Sequence, residues 1–458
     1  MSINILTAKS AIDQNLIGNP QISFFKIVYR RHTNFSIQQL QIDKQSIDKN
    51  GGELDTKIPN SGDLLHKLWI DVIINASNTA LSGNSLYFVW TRNTGAALIK
   101  DYSLQIGQHI IDKQDSNYLN IIADVEDVNN NSWIPLNKHF LTHKHYYNKE
   151  NSINHDGNNP DGYLQLYIDI PFWFCKNTGL SLPLISIQNQ DIKFKCNIRP
   201  IHSLLNASDS SGGSSASYTY GNSKIDLSVM GQFILLDTDE RRRYAQTSHE
   251  YLIEQLQYST YDLEHGVTNN LRLNFNHPIK KIYWMTQYNK CNNEAVCTGG
   301  QDTNAFYLSE TMPMEELDPS KNILLFSNND YFNYNASNSC NNEYLANVAH
   351  YYMYKTANIT INSVKLFDPL KASYFEYMTY VHHNMKLPGH GNIFMYSFSL
   401  NPTEHQPSGT FNMSNVNNCM LNFYNVNTGS QGDAHVKVYA INYNILRIMS
   451  GMAALAYI

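Results

Sequence analysis

Alternation of apolar and polar residues with a period of two recurs along this chain and limits its fold more than any other feature. It is plain in LHKLWIDVII (65–74), LQLYIDIPFWF (164–174), DIKFKCNI (191–198), LRLNFNH (271–277) and HVKVYAINYNIL (435–446). Successive side chains of a pleated strand point to opposite faces, so each segment predicts a strand with one buried face. Between the segments stand EDVNNNSW, NHDGNNPDG and ASDSSGGSSASY. Their Asn, Asp, Gly and Ser tolerate left-handed backbone or hydrogen-bond it locally, which is turn and loop chemistry. The chain therefore reads as all-β with long inter-strand loops and a few short helices.

At 458 residues the chain exceeds what one hydrophobic core usually serves, and two domains are expected. An internal echo favours two related halves. QIGQHIIDKQDSNYLNII (105–122) and INSVKLFDPLKASYFEYM (361–378), offset by 256 residues, pair Asp112 with Asp368, Tyr118 with Tyr374 and Leu119 with Phe375. Both read as strand, turn at the Asp, then short helix. Each half also closes on a long alternating segment, LSVMGQFILLD (227–237) and HVKVYAINYNIL. Between the halves, LDTDERRRYAQ (236–246) sets Asp237, Asp239 and Glu240 within helical reach of Arg241, Arg242 and Arg243. These features divide the chain into an N-terminal arm (1–30), a first half (31–237), a linker (238–248) and a second half (249–458).

Charge and motifs remove several functions. A net charge of −6 argues against a chain whose main task is neutralising phosphates, so no direct nucleic-acid contact is expected. No GxSxG, HExxH, GxxxxGK[ST] or GxGxxG occurs. His382, His383 and His390 lack ligand spacing tied to a supporting carboxylate and read as loop histidines. The six cysteines form no CxxC pair and read as reduced thiols, with Cys291 and Cys297 close enough in sequence to cross-link under oxidation. No apolar run reaches the roughly 18 residues of a membrane span, and the first residues lack the pattern of a signal peptide. A polysaccharide hydrolase needs paired carboxylates in a cleft, and the sequence nominates no pair. No catalytic residue, cofactor or metal is expected.

Near the start, GNPQISFFKIVYRRHTNF (18–35) packs apolar residues against Arg30, Arg31 and His32. Asn19 as an N-cap, Pro20 at the first helical position and the spacing of Phe24, Phe25 and Val28 predict a short amphipathic helix over Pro20 to Arg31. It would bury the three apolar side chains while Arg30 and Arg31 bind acidic partners, and the first strand would begin near Phe35.

That stretch, PFWFCKNTGLSLPLISIQ (171–188), LDTDERRRYAQ, LNFNHPIKKIYWMTQ (273–287), YSFSLNPTEHQPSGTFNMSNVNN (396–418) and VKVYAINYNILRIMSGMAALAY (436–457) resemble, in order, segments of the major capsid protein of nucleocytoplasmic large DNA viruses. The resemblance spans nearly the whole chain. It implies a double jelly roll, two eight-stranded antiparallel β-sandwich barrels, three copies of which form a pseudo-hexagonal capsomer. The implied role is structural: a tile of an icosahedral shell in the virion, assembled in the host cytoplasm. Implied partners are further copies of the chain, neighbouring capsomers, and minor capsid and penton proteins, with the internal viral membrane and host-surface glycans as further candidates. Phe24, Phe25, Val28, Arg30 and Arg31 are then expected at the capsomer base, and Asp239, Glu240, Arg241, Arg242 and Arg243 at the junction between domains or subunits. A minor capsid paralogue and a glycan-binding capsid surface protein are the alternatives.

Overall fold

Eight principal strands build the first half, several of them from the alternating segments: β1 (Phe35–Asp48), β2 (Gly52–Lys57), β3 (Leu64–Asn75), β4 (Ile99–Ile106), β5 (His109–Asp115), β6 (Tyr163–Asp169), β7 (Ile192–Ile198) and β8 (Lys224–Leu236). Eight more build the second: β9 (His249–Leu263), β10 (Asn269–Arg272), β11 (Pro278–Tyr288), β12 (Thr356–Ile361), β13 (Val364–Lys365), β14 (Ile393–Ser397), β15 (Cys419–Tyr424) and β16 (Ala434–Met449). They belong to a computed structural model that describes residues 11, 13–27, 29–75, 79–82, 85–90, 94–126, 152–154, 163–209, 217–220, 224–288, 331–332, 334, 352–388, 392–427 and 434–457. The three loop clusters quoted above, Cys291, Cys297, Cys340 and His390 fall wholly or mainly outside them.

Pairing is antiparallel throughout. In the first half the sheets run β1-β8-β3-β6 and β2-β7-β4-β5; in the second, β9-β16-β11-β14 and β10-β15-β12-β13. Adding eight to each strand of the first pair of sheets gives the second pair, so one topology occurs twice. Two four-stranded sheets in this order make a jelly roll, and the chain is a double jelly roll. Short strands extend the sheets, among them Leu182–Pro183 beside β3 and Met452–Leu455 beside β16. The helix Thr238–Gln246 lies between the rolls and is capped by Asp237, whose carboxylate accepts the Thr238 N–H at 2.8 Å.

The internal echo falls on matching elements, with one correction. Asp112 lies inside a strand and not at a turn, whereas Asp368 stands in the bent stretch between Lys365 and Leu370; the reversal common to both pieces lies elsewhere. It comes earlier, at Gly107 (φ 61°) between β4 and β5 and at Ser363 (φ 69°) between β12 and β13, positions that are themselves 256 apart. Left-handed backbone at these two sites lets the strand reverse at once. Asp112 is buried inside β5 whereas Asp368 is exposed. A helix follows in each roll, Ser116–Val125 in the first and Tyr374–His382 in the second, and its apolar residues Leu119 and Phe375 are wholly buried.

The predicted helix over Pro20 to Arg31 is absent. A single helical turn sits earlier, at Gln14–Ile17, and the described residues from 20 to 31 are not helical. Asn19 takes a left-handed conformation (φ 49°), where an N-cap needs extended backbone. The described apolar side chains are not buried: Phe24 is 90% and Phe25 100% exposed. A helix of about a dozen residues without a partner is marginal in water. Val28 lies outside the described residues. The first strand does begin at Phe35.

Burial in β7 follows the alternation residue by residue, but β16 departs from it. Of its sixteen residues only four are not buried. One face, with Val436, Val438 and Ala440, fills the core of the second roll; the other, with Tyr439 and Ile441, joins the core cluster of the first. The neighbouring β11 divides in the same way, Trp284 inward and Tyr283 and Met285 outward. The sheet β9-β16-β11-β14 is thus apolar on both faces because the first roll is packed against it. Full burial of one such side chain contributes roughly 1.5–3 kcal/mol, so the handful at this contact outweighs any single polar link.

Candidate assembly interface

Three groups of polar residues border that shared apolar contact. The first is centred on Asp115. It ends β5 and N-caps the helix Ser116–Val125, accepting the Tyr118 N–H at 2.9 Å. The same carboxylate receives the Tyr439 hydroxyl at 2.8 and 3.0 Å and the Lys437 ammonium at 3.2 Å, both from β16 of the other roll. Earlier in β5, Gln114 donates to Asp112 at 2.6 Å, and Asp112 accepts the Leu256 N–H of β9 at 3.2 Å. Burial pushes the Asp112 carboxyl up to about 6.

The second group is a chain of alternating charges. Glu126, just past the helix, binds Lys281 at 2.6 Å and Lys176 at 3.6 Å; Lys176 reaches on to Glu254 at 3.4 Å, which also binds Lys280. Burial alone would raise both carboxyls, but the ammonium groups prevail: Lys281 and Lys176 hold Glu126, and Lys176 and Lys280 hold Glu254, below the usual range. A cavity of about 220 Å³ opens here, lined by both glutamates, Trp173, Lys176 and His405. Two carboxylates in one pocket invite comparison with a glycosidase, yet a general acid must carry a proton. Both groups are held ionised, so the arrangement suits a structural bridge.

The third group ties the C-terminal hairpin to the first roll. Gly451 O accepts the Asn189 N–H at 3.0 Å, and Gln190 accepts the Ala453 N–H at 2.7 Å. Gly451 has φ 79°, and a Cβ there would stand 2.7 Å from Asn189 Nδ2, so only glycine allows this approach. Buried ionic groups add little net stability over apolar ones, but an arrangement that left one of them unpaired would be strongly destabilised. The apolar faces hold the rolls together, and the polar groups decide how they sit.

The residues singled out in the sequence divide. Arg241 binds Asp63 at 3.0 Å, and Asp63, almost wholly buried, also accepts the Leu236 N–H at 2.9 Å, which fastens the inter-roll helix to the first roll. Asp239, Glu240, Arg242 and Arg243 make no ion pair among the described residues, so the charge pairing expected within the helix is not formed. Arg30 and Arg31 are exposed and likewise unpaired. His383 meets the Leu400 carbonyl at 2.9 Å, His382 packs against Tyr374, and no group of three or more His, Cys, Asp or Glu among the described residues is placed to hold a metal. Cys196 and Cys419 are buried and Cys175 half-buried, all as free thiols. Asp115, Glu126, Lys280 and Lys281 were not legible as site residues. Only a cap signal, Asp115 before SNYLN, was available locally.

Comparison with known proteins agrees with this geometry. Residues 240–454 match the family model described as large eukaryotic DNA virus major capsid protein, and residues 23–237 match that of the major capsid protein N-terminus. The chain is 34% identical to the major capsid protein of Pyramimonas orientalis virus, over 99% of this chain and 98% of that one. It is 31% identical to that of Phaeocystis pouchetii virus, with the same coverage. Among solved structures, a quasi-atomic model of the PBCV-1 virus capsid superposes with a TM-score of 0.71 at 26% identity, covering 95% of this chain and all of that one. The Faustovirus major capsid protein shares the fold, with a TM-score of 0.65 at 11% identity. Two jelly rolls of one topology, locked by a shared core and matched end to end by these relatives, place the chain in the family of major capsid proteins of large eukaryotic DNA viruses, as a structural protein of the virion capsid.

Proposed function

We propose that three copies of the chain associate into a capsomer whose six jelly rolls form a pseudo-hexagonal tile of an icosahedral shell. The observation that carries this reading is the seam: one topology repeated twice and packed in a single arrangement gives each chain two similar units side by side. A three-fold axis then generates six, the symmetry a closely tiled facet needs. Residues 31–237 and 249–458 act as the two rolls and 238–248 as their joint. Assembly takes place in the host cytoplasm, and minor capsid and penton proteins join the tiles. No side chain carries out catalysis in this account. Light scattering of the purified protein tests it: a mass three times that of the chain is expected, and a monomer at high concentration would overturn the trimer.

A further inference from the structure

The arm before β1 has a composition unlike the rest of the chain. From Gln14 to Ile42 there is no Asp or Glu, while Lys26, Arg30 and Arg31 give it three positive charges in a chain of net −6. It also exposes seven large apolar side chains between residues 16 and 29, Phe24 and Phe25 almost entirely. Apolar area on this scale marks a surface awaiting a partner.

A matching surface lies at the end of the molecule where the arm leaves it. Phe35 pairs with Leu236 and His249 with Ile448, so the start of β1, the inter-roll helix and the end of β16 share that end. Exposed there are Phe35, Ile37, Leu235, Met449 and Met452. Asp239 and Glu240 stand in the first turn of the helix, and Glu240 Oε2 is shielded from solvent yet accepts no hydrogen bond. Arg242 and Arg243 follow a turn later and pair with neither. A buried carboxylate oxygen without a donor is costly, and a guanidinium is the group that fits it best.

We propose that the arm of one copy docks on this end of a neighbouring copy, with Phe24 and Phe25 covering its apolar residues and Arg30 and Arg31 reaching Asp239 and Glu240. The inference rests on the trimer reading and identifies its contact. Phe24 stands eleven residues and Arg31 four residues before Phe35, so extended chain carries them about 36 Å and about 13 Å from the start of β1, and the contact falls on a copy packed directly beside that end. Each chain carries both halves of the contact, so head-to-tail docking around the three-fold axis of the proposed trimer satisfies every copy. An anionic membrane would suit the arm but would set the carboxylates of the helix against like charge, and the second copy is therefore the better occupant.

Charge exchange tests this, with mass by light scattering and melting temperature read together. Arg30→Glu with Arg31→Glu should weaken the trimer at least about tenfold, Asp239→Arg with Glu240→Arg should do the same, and all four together should restore it, with melting of the rolls unchanged. Deleting residues 1–31 should abolish the trimer. A trimer that persists in the double variants or the deletion overturns the docking and leaves the trimer reading intact. Dissociation without rescue overturns the pairing. Loss of binding to phosphatidylserine vesicles with the trimer intact assigns the arm to lipid instead. A monomeric parent protein overturns the trimer reading and the docking with it.

Discussion

Burial shifts Asp112 and His435 in opposite directions. The Asp112 carboxyl ordinarily titrates at 3.8 and burial raises it to about 6, so between those values the folded chain keeps a proton that the unfolded chain releases. Its contribution is complete below 3.8 and is lost as pH rises through 6. His435 runs the other way. Burial, helped by Lys437, lowers it from 6.5 to about 4, so its contribution is present above 6.5 and is lost as pH falls through 4. Each span corresponds to about 3 kcal/mol, and between pH 6.5 and 4 the two nearly cancel. Asp112→Asn should unmask the histidine, so that melting temperature falls more steeply than in the parent as pH goes from 7 to 5. His435→Asn should shift the slope the opposite way. Parallel curves for all three proteins would sink the assignment. Neither residue was legible from sequence as a titrating group: Asp112 looked like a turn residue, and its burial depends on β9 of the other roll, 144 positions away.

Among elements, the inter-roll helix shows how far three like residues in a row diverge. Only Arg241 meets a buried carboxylate, Asp63, which without it would face the interior with a backbone N–H alone. Arg241 is itself largely exposed, so solvent screening limits the contact to about 1 kcal/mol. Arg241→Ala should therefore lower stability by about that amount in chemical denaturation, while Arg242→Ala and Arg243→Ala should stay within about 0.5 kcal/mol. Equal losses at all three would contradict the geometry. Strands were the most legible elements, because alternation in a segment such as DIKFKCNI is enforced by the two faces of its own sheet. β16 was legible as a strand but not as one buried on both faces, since nothing local records that a second roll covers Tyr439 and Ile441. The arm misled for a related reason: its apolar spacing is helical, yet helicity needs a surface to pack on, and Phe24 and Phe25 stand exposed instead.

At the scale of the whole molecule, the chain is two copies of one topology that share a core at their contact. Asp115, at 324 residues from Tyr439, and the charge chain from Lys281 to Lys280 through Lys176 set the angle between the rolls. In the proposed tile this angle sets the shape of each unit, which gives the seam its structural role. Order and spacing of long segments carried the family resemblance because strand faces and seam are built from them. The polar links across the seam escaped because they join residues with no local relation. The most direct test is electron microscopy of the purified protein at high concentration. Class averages should show particles with three-fold symmetry and six lobes, one for each roll; isolated two-lobed particles and no three-fold assembly would contradict the account.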